Sequence, residues 1–337
     1  MSAHKQTQLE IKKKSEEILN ELPEFIRDYA RSIHHSVAPR TILEYCKDIK
    51  TFFSYLEDVK HIREVSVETL GSIRKTDFEI YFEYLEHYEK DFVERTNARV
   101  SIKRKMSSLR SLYDYLFTNE LIPSNELAKV LMPKLSKKEI IYLNEDEAKK
   151  LMDDTENGID MTKKEKDYHK KQNVRDTAIL ALLLSTGIRV SECAELDIDD
   201  VDMKSSSVHI VRKGGDESIV YFSDNAAAYI ESYLEERKNM EGVKDEKALF
   251  LSSRKQRMNV RTIEMLVKKH AKKSVPLKHI TPHKLRSSYA TNLYKATGDI
   301  YAVAESLGHK SVQTTRDHYA HISTEHRREN RNKTDLV

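Results

Sequence analysis

The chain has 337 residues, of which 39% are hydrophobic and 34% charged, and carries a formal net charge of +3. That length predicts two domains rather than one core, and the composition excludes a disordered chain. The longest apolar run, Ala178 to Leu184, is far too short to span a bilayer, which excludes a transmembrane helix.

Lys12, Lys13 and Lys14 stand near the N-terminus with no apolar stretch after them, so no secretory signal is read and a cytoplasmic protein is expected. Cys46 and Cys193 fall in different candidate domains within helical patterns and are expected to be free thiols. The small net charge hides an uneven distribution. Arg95 to Lys138 holds ten basic and three acidic residues, and Ser252 to Arg286 holds eleven basic and one acidic. The rest of the chain is therefore acidic. Two basic segments on such a chain fit a polyanion partner or, more simply, two solvated helix faces.

In chain order, Ile42, Tyr45, Ile49, Phe52, Phe53 and Leu56 recur at helical steps and form one apolar stripe. Phe78, Phe82 and Leu85 mark a second, shorter helix. Ile102, Met106, Leu109, Tyr113 and Leu116 mark a third. On that helix Arg99, Lys103 and Arg110 lie away from the apolar stripe, and Arg104 and Lys105 add to a basic face that contains no acid. Such a face can lie against phosphates or enter a major groove. Pro123 and Pro133 bracket the end of this region, and Lys134, Lys137 and Lys138 make the following segment a basic linker.

Asn144 with Glu147 is a capping box that opens the next helix. Asp153 to Asn173 reads as a surface loop or an extended helix end. Val174 to Thr186 is an apolar helix stopped by Gly187. Ser207–Arg212 and Ser218–Phe222 alternate around Lys213-Gly214-Gly215-Asp216, which predicts a β-hairpin. A helix from about Asn225 to Arg237 and a short strand near Leu249–Leu251 follow, and the remainder reads as helical.

Four segments carry candidate chemistry. Arg189 follows the Gly187 stop, and Glu192 lies one turn further on. Lys213 sits at the hairpin tip, where an isolated lysine would be an ordinary turn residue. Pro282 fits a first helical turn, so His283 and Arg286 share a face. Leu307-Gly308-His309 precedes Tyr319-Ala320-His321. Together these describe phosphodiester transfer. Two guanidiniums can grip nonbridging oxygens, a lysine can protonate a leaving oxygen, and a tyrosine can attack phosphorus. No carboxylate cluster of the kind that holds two magnesium ions is present in the pattern. His309, His318 and His321 as zinc ligands is the weaker reading, because no cysteine is near.

The order Arg189, Lys213, His283-x-x-Arg286, Leu307-Gly308-His309 and Tyr319 resembles the tyrosine recombinases of the phage-integrase family over nearly the whole chain. Arg212-Lys213-Gly214-Gly215 and Thr281 to Arg286 resemble the Xer type, most of all the single-protein XerS kind. The resemblance implies a mainly α fold with a small β-hairpin or sheet. A polar segment 1–20 would precede a helical, SAM-like core-binding domain at 21–122. A basic linker 123–140, a mixed α/β catalytic domain 141–322 and a tail 323–337 would follow. It implies that Arg189 and Arg286 clamp the phosphate and that Lys213 is the general acid. His283 would be the base partner of the tyrosine, His309 a phosphate ligand, Tyr319 the nucleophile and Glu192 a supporting residue. No cofactor or metal is expected. The implied partners are double-stranded DNA with an inverted-repeat core site, a homotetramer on two paired sites and a DNA-translocase motor, with no membrane. Chromosome-dimer resolution is the expected role. A mobile-element integrase, or a silent DNA-binding protein of the same fold, is the alternative.

Two departures accompany the resemblance. Tyr319 lies ten positions after His309, one more than in many relatives, and one inserted residue turns a helix by roughly 100°. Ser287 stands where many relatives have histidine.

Overall fold

The computed structural model describes residues 3–90, 93–134, 140–159, 162–212, 215–309, 311–313 and 315–316. The chain divides into two compact units, Met1–Lys138 and Glu139–Val337.

In the first unit, α1 (Ala3–Leu19) packs on α3 (Pro39–Asp58), with α2 (Glu24–Ser32) between them in sequence. The stretch read as a polar lead-in is thus helical, and it buries Ile11 and Leu19. Its apolar residues are too sparse to announce an amphipathic helix. Pro39 opens α3 at a first-turn position, where its missing N–H costs nothing. α4 (Val67–Ser72) starts at a Ser66 capping box, and α5 (Lys75–Tyr84) follows. A hairpin, β1 (His87–Lys90) with β2 (Val93–Thr96), then leads to α6 (Arg99–Thr118) and a 3-10 turn at Glu126–Lys129. The core is aromatic. Phe52 and Tyr81 have ring centroids 4.8 Å apart, and Phe78 meets Tyr113 edge-on at 5.0 Å. The Tyr113 hydroxyl donates to the Leu70 carbonyl at 3.1 Å, so the ring can be buried with its polar end satisfied.

In the second unit, Asn144 and Glu147 form the reciprocal capping box of α7 (Glu145–Asn157). The charged stretch after it contains a separate short helix, α8 (Lys163–His169), capped by Thr162 and Glu165. α9 (Asn173–Thr186) is buried on every side from Ala178 to Leu183 and packs against α7, α11 and α13, which makes it the axis of this unit. Gly187, at φ 62°, ends it. α10 (Val190–Glu195) follows at once. The sheet is antiparallel in the order β3 (Val201–Asp202), β4 (Ser207–Val211), β5 (Glu217–Tyr221), with Val208 opposite Val220. α11 (Asp224–Lys238), α12 (Val260–Ser274), α13 (Pro282–Thr297) and α14 (Ile300–Leu307) complete the described elements. The strand expected at Leu249–Leu251 is reduced to isolated bridges, Asp197 with Ala248 and Leu251 with Arg257. Its residues are buried by packing rather than by a ladder. Arg257 instead gathers the carbonyls of Glu195 and Leu196, each at 2.9 Å, and so fixes the C-terminal end of α10.

No helix among the described residues is long and apolar enough to cross a membrane. Cys46 and Cys193 are buried free thiols.

Candidate active site

The site begins at the turn between α9 and α10. A Cβ at Gly187 would lie 2.4 Å from the Tyr289 ring, and its φ is positive, so only glycine fits. The turn delivers Arg189 to the N-cap of α10. Arg189 has no capping oxygen of its own. Glu192 supplies the bond from one turn later, accepting from the Arg189 backbone N–H at 2.7 Å and from its Nη1 at 2.7 Å. Glu192 is only 5% exposed, whereas the Arg189 side chain is 35% exposed. A buried carboxylate therefore aims a more accessible guanidinium.

Arg286 lies on α13, one turn after His283, and is 7% exposed. Its Nη1 donates to the Gly187 carbonyl at 2.6 Å, and its Nη2 to the Leu307 carbonyl at 2.5 Å. The first of these bonds spans 99 residues of sequence and brings Arg286 to the turn that carries Arg189. The second ties it to the turn that carries His309. His283 is exposed in the first turn of α13. Ser287, at the position of the expected histidine, is buried and returns its hydroxyl to the His283 carbonyl at 3.1 Å.

Gly308, at φ 59°, closes α14, and His309 follows with its backbone N–H on the Ala304 carbonyl at 2.9 Å. His309 Nδ1 and the buried Thr315 Oγ1 are hydrogen-bonded at 2.7 Å, which fixes the ring and leaves Nε2 as its other polar end. Lys213 and Tyr319 lie outside the described residues, and with them the ten-residue spacing. So do Lys137, Lys138 and the tail 323–337.

One residue of this neighbourhood was not singled out by sequence. Arg212 is 9% exposed and continues the inward face of β4 after the buried Val208 and Ile210. Its guanidinium lies against Gly308, with Nη2 3.3 Å from the Ser306 carbonyl and 3.4 Å from Ser218 Oγ. Burial pushes Arg212 below the usual arginine value and the charge of Arg189 adds to this, while Glu192 opposes it. The alternation of β4 was the available signal, since position 212 falls in step with 208 and 210.

The basic helix of the first unit divides in two. Arg99 is exposed and Lys103 partly so, as expected of a face turned outward. Arg104 and Lys105 instead reach Asp48 of α3, at 2.5 and 3.2 Å, and Arg110 donates to the Val130 carbonyl. The acid that Arg104 and Lys105 meet comes from across the core, and Lys105 and Arg110 are turned inward by it and by that carbonyl. Lys134 is exposed.

Among the described residues, no three His, Cys, Asp or Glu side chains gather as a metal site. Arg189, Arg286 and Arg212 with one carboxylate, Glu192, form a cationic cluster suited to an anion with several oxygens.

Residues 141–326 match the phage integrase family, and residues 26–120 match the N-terminal SAM-like domain of phage integrases. The chain is 35% identical to tyrosine recombinase XerC of Caldanaerobacter subterraneus over 314 residues, which is 89% of this chain and 82% of that protein. It is 34% identical to tyrosine recombinase XerS of Streptococcus thermophilus over 343 residues, 92% of this chain and 94% of that protein. In fold it is similar to the XerH recombinase bound to its difH substrate, with a TM-score of 0.61 at 20% identity, covering 89% of this chain and 79% of that one. It is likewise similar to the Tn1549 transposon integrase in complex with circular intermediate DNA, with a TM-score of 0.63 at 20% identity, covering 90% and 98%. With the family matched over residues 141–326, and Xer-type relatives matched over 82% and 94% of their own length, the chain belongs to the phage integrase family and is a Xer-type tyrosine recombinase, an enzyme of DNA strand cleavage and transfer.

Proposed function

We propose that the chain cuts and rejoins DNA at one chromosomal site through a 3′-phosphotyrosyl intermediate, with Tyr319 as nucleophile. The observation that carries this reading is the bond from Arg286 to the Gly187 carbonyl, which converges two guanidiniums on one turn. Both would hold nonbridging oxygens and offset the charge of a pentavalent phosphorus. The Tyr319 oxygen forms the new bond to phosphorus as the bond to the 5′ oxygen breaks. His283 takes the tyrosine proton, and Lys213 gives a proton to the departing 5′ oxygen. His309 donates to the phosphate from Nε2. Attack by the 5′ hydroxyl of a second strand reverses the sequence and frees Tyr319.

The substrate is duplex DNA with an inverted-repeat core site, held by a homotetramer on two paired sites in the cytoplasm. Arg99, Lys103 and Lys134 contact phosphates. Chromosome-dimer resolution, with a DNA-translocase motor as partner, is favoured over integration of a mobile element by the XerC and XerS relatives.

The test is covalent trapping. DNA that stays on the protein through SDS should be sequenced. Reads piled at one chromosomal locus support the reading, and reads at the ends of a mobile element overturn the proposed role. Tyr319→Phe should bind the same duplex and form no adduct. An adduct in that variant would mean another nucleophile.

A further inference from the structure

The hydrogen bond between His309 Nδ1 and Thr315 Oγ1, 2.7 Å long, can run either way, because a hydroxyl donates or accepts and so does each nitrogen of an imidazole, according to its tautomer. The surroundings of Thr315 decide between the two. Thr315 is fully buried, whereas His309 is half-buried, so contact with a ligand falls to the ring. Other buried threonines of this unit turn the hydroxyl back on a carbonyl four residues earlier, Thr155 on Leu151 at 2.7 Å and Thr186 on Leu182 at 2.5 Å. Thr315 makes no such bond to Ser311, and among the described residues the imidazole is the one hydrogen-bond partner of its hydroxyl. With hydrogen on Nδ1, the ring would donate to Thr315 Oγ1 and leave the hydroxyl hydrogen buried without an acceptor. A buried donor left unmade is costly, and an oxygen with a spare lone pair is tolerated more readily. The hydroxyl therefore donates, Nδ1 accepts, and the single ring hydrogen of neutral His309 stands on Nε2.

We propose that Thr315 is a positioning residue that sets the tautomer of His309, so that a neutral imidazole presents Nε2–H to a nonbridging oxygen of the DNA phosphate. The proposal rests on the reading of His309 as a phosphate ligand. The backbone brings this donor to the clamp, since the Leu307 carbonyl, two residues before His309, accepts from Arg286. The His309 backbone N–H is committed to the Ala304 carbonyl at 2.9 Å, so the residue is held at its root as well as at Nδ1. Thr315 touches no reacting atom. With hydrogen on Nδ1 instead, Nε2 would turn a lone pair toward the phosphate oxygen, and the two would repel. The Nε2–H bond strengthens as negative charge builds on the nonbridging oxygens, so its loss falls on the rate more than on affinity.

The experiment has two arms. In the first, long-range nitrogen–proton NMR spectra of protein labelled at its histidine nitrogens, taken above neutral pH, read which nitrogen bears hydrogen. The His309 signals are those missing from His309→Ala. Wild type should carry hydrogen on Nε2, and Thr315→Val should move population to Nδ1. Hydrogen on Nδ1 in wild type, alone or together with Nε2, overturns the proposal, and this reading decides even if Thr315→Val fails to fold. In the second arm, single-turnover adduct formation on a nicked duplex is followed at saturating protein. His309→Ala should be slow. A His309→Ala rate equal to wild type overturns the reading of His309 as a phosphate ligand, and the proposal with it. Given a slow His309→Ala, Thr315→Val should be about tenfold slower than wild type with affinity nearly unchanged, and Thr315→Ser, which keeps the hydroxyl, should recover most of that loss. In the His309→Ala background Thr315→Val should add nothing. An unslowed Thr315→Val, no recovery with serine, or losses that multiply in the double variant would each overturn the role of Thr315 and leave that of His309 standing.

Discussion

Each unit holds a buried carboxylate beside cations that can be set against the other's. In the first, Asp48 is 1% exposed and accepts from Arg104, Lys105 and the Ser108 hydroxyl, the last at 2.6 Å. In the second, Glu192 is 5% exposed and accepts twice from Arg189, while Arg212 feels its charge and that of Arg189. Around Asp48 the donors converge on the acid from α6 and join it to α3. There a second acid, Glu44, also lies 3.8 Å from Arg104, whereas near Glu192 one guanidinium nitrogen of Arg212 has no hydrogen-bond partner among the described residues. A saturated cluster holds a fold together. An undersaturated one is built for a charge that arrives from outside.

The strongest way to break this comparison is to spoil the cationic side of the second cluster. Arg286→Lys keeps a charge but cannot donate to the Gly187 and Leu307 carbonyls and still present a planar fork. Cleavage of nicked DNA should fall about 10³-fold with DNA affinity nearly unchanged, measured as adduct formation at saturating protein. Equal losses in affinity and rate would make Arg286 a general DNA contact.

A smaller effect separates the two acids. Asp48→Ala leaves Lys105 enclosed without its partner and should cost about 3 kcal/mol in urea unfolding, with the rate of cleavage in the bound state preserved. Glu192→Gln should cost only about 1 kcal/mol of stability, because Arg189 can turn to water, yet slow cleavage at least tenfold. The thiols localise the damage. Burial pushes Cys46 up to about 11 and Cys193 up to about 12, so alkylation near neutral pH waits on opening of each unit. Asp48→Ala should speed labelling of Cys46 and leave Cys193 unchanged. Faster labelling of both would mean that the units do not open separately.

The smallest effect concerns DNA affinity. Arg99→Gln and Lys103→Gln should each flatten the salt dependence of binding by about one unit of slope, and Lys105→Gln should leave the slope unchanged because its ammonium belongs to Asp48. A Lys105→Gln slope that matches Arg99→Gln would show that DNA draws this lysine off the acid.

Local signals were legible in the sequence. The Asn144–Glu147 box, the stop at Gly187, the hairpin around Lys213 and the first-turn Pro282 all stand where short-range chemistry placed them. The order of the site motif was legible as well. What escaped depends on meetings through space. No acid stands among Arg99, Lys103, Arg104, Lys105 and Arg110 in the sequence, and only the packed core reveals that Asp48 of α3 claims two of these cations. The β1–β2 hairpin lacks a Gly or Asn turn signal and is charged along its length, so its pairing is set by register rather than by composition. Arg212 reads as one more basic residue beside Lys213 until Gly308, far along the chain, is seen to leave room for it.

Arg286 reaches from α13 to the carbonyl ends of two other helices, α9 and α14. A long side chain free in water samples many rotamers, and confining it when a ligand arrives costs roughly 0.5–1.5 kcal/mol. Gripped at both ends of its fork, Arg286 loses that freedom when the chain folds, long before any encounter with DNA. The partial negative charge of two helix termini also holds it in place. The enzyme therefore meets each phosphate with an arginine already at rest, and the waiting time before chemistry includes no search by this side chain.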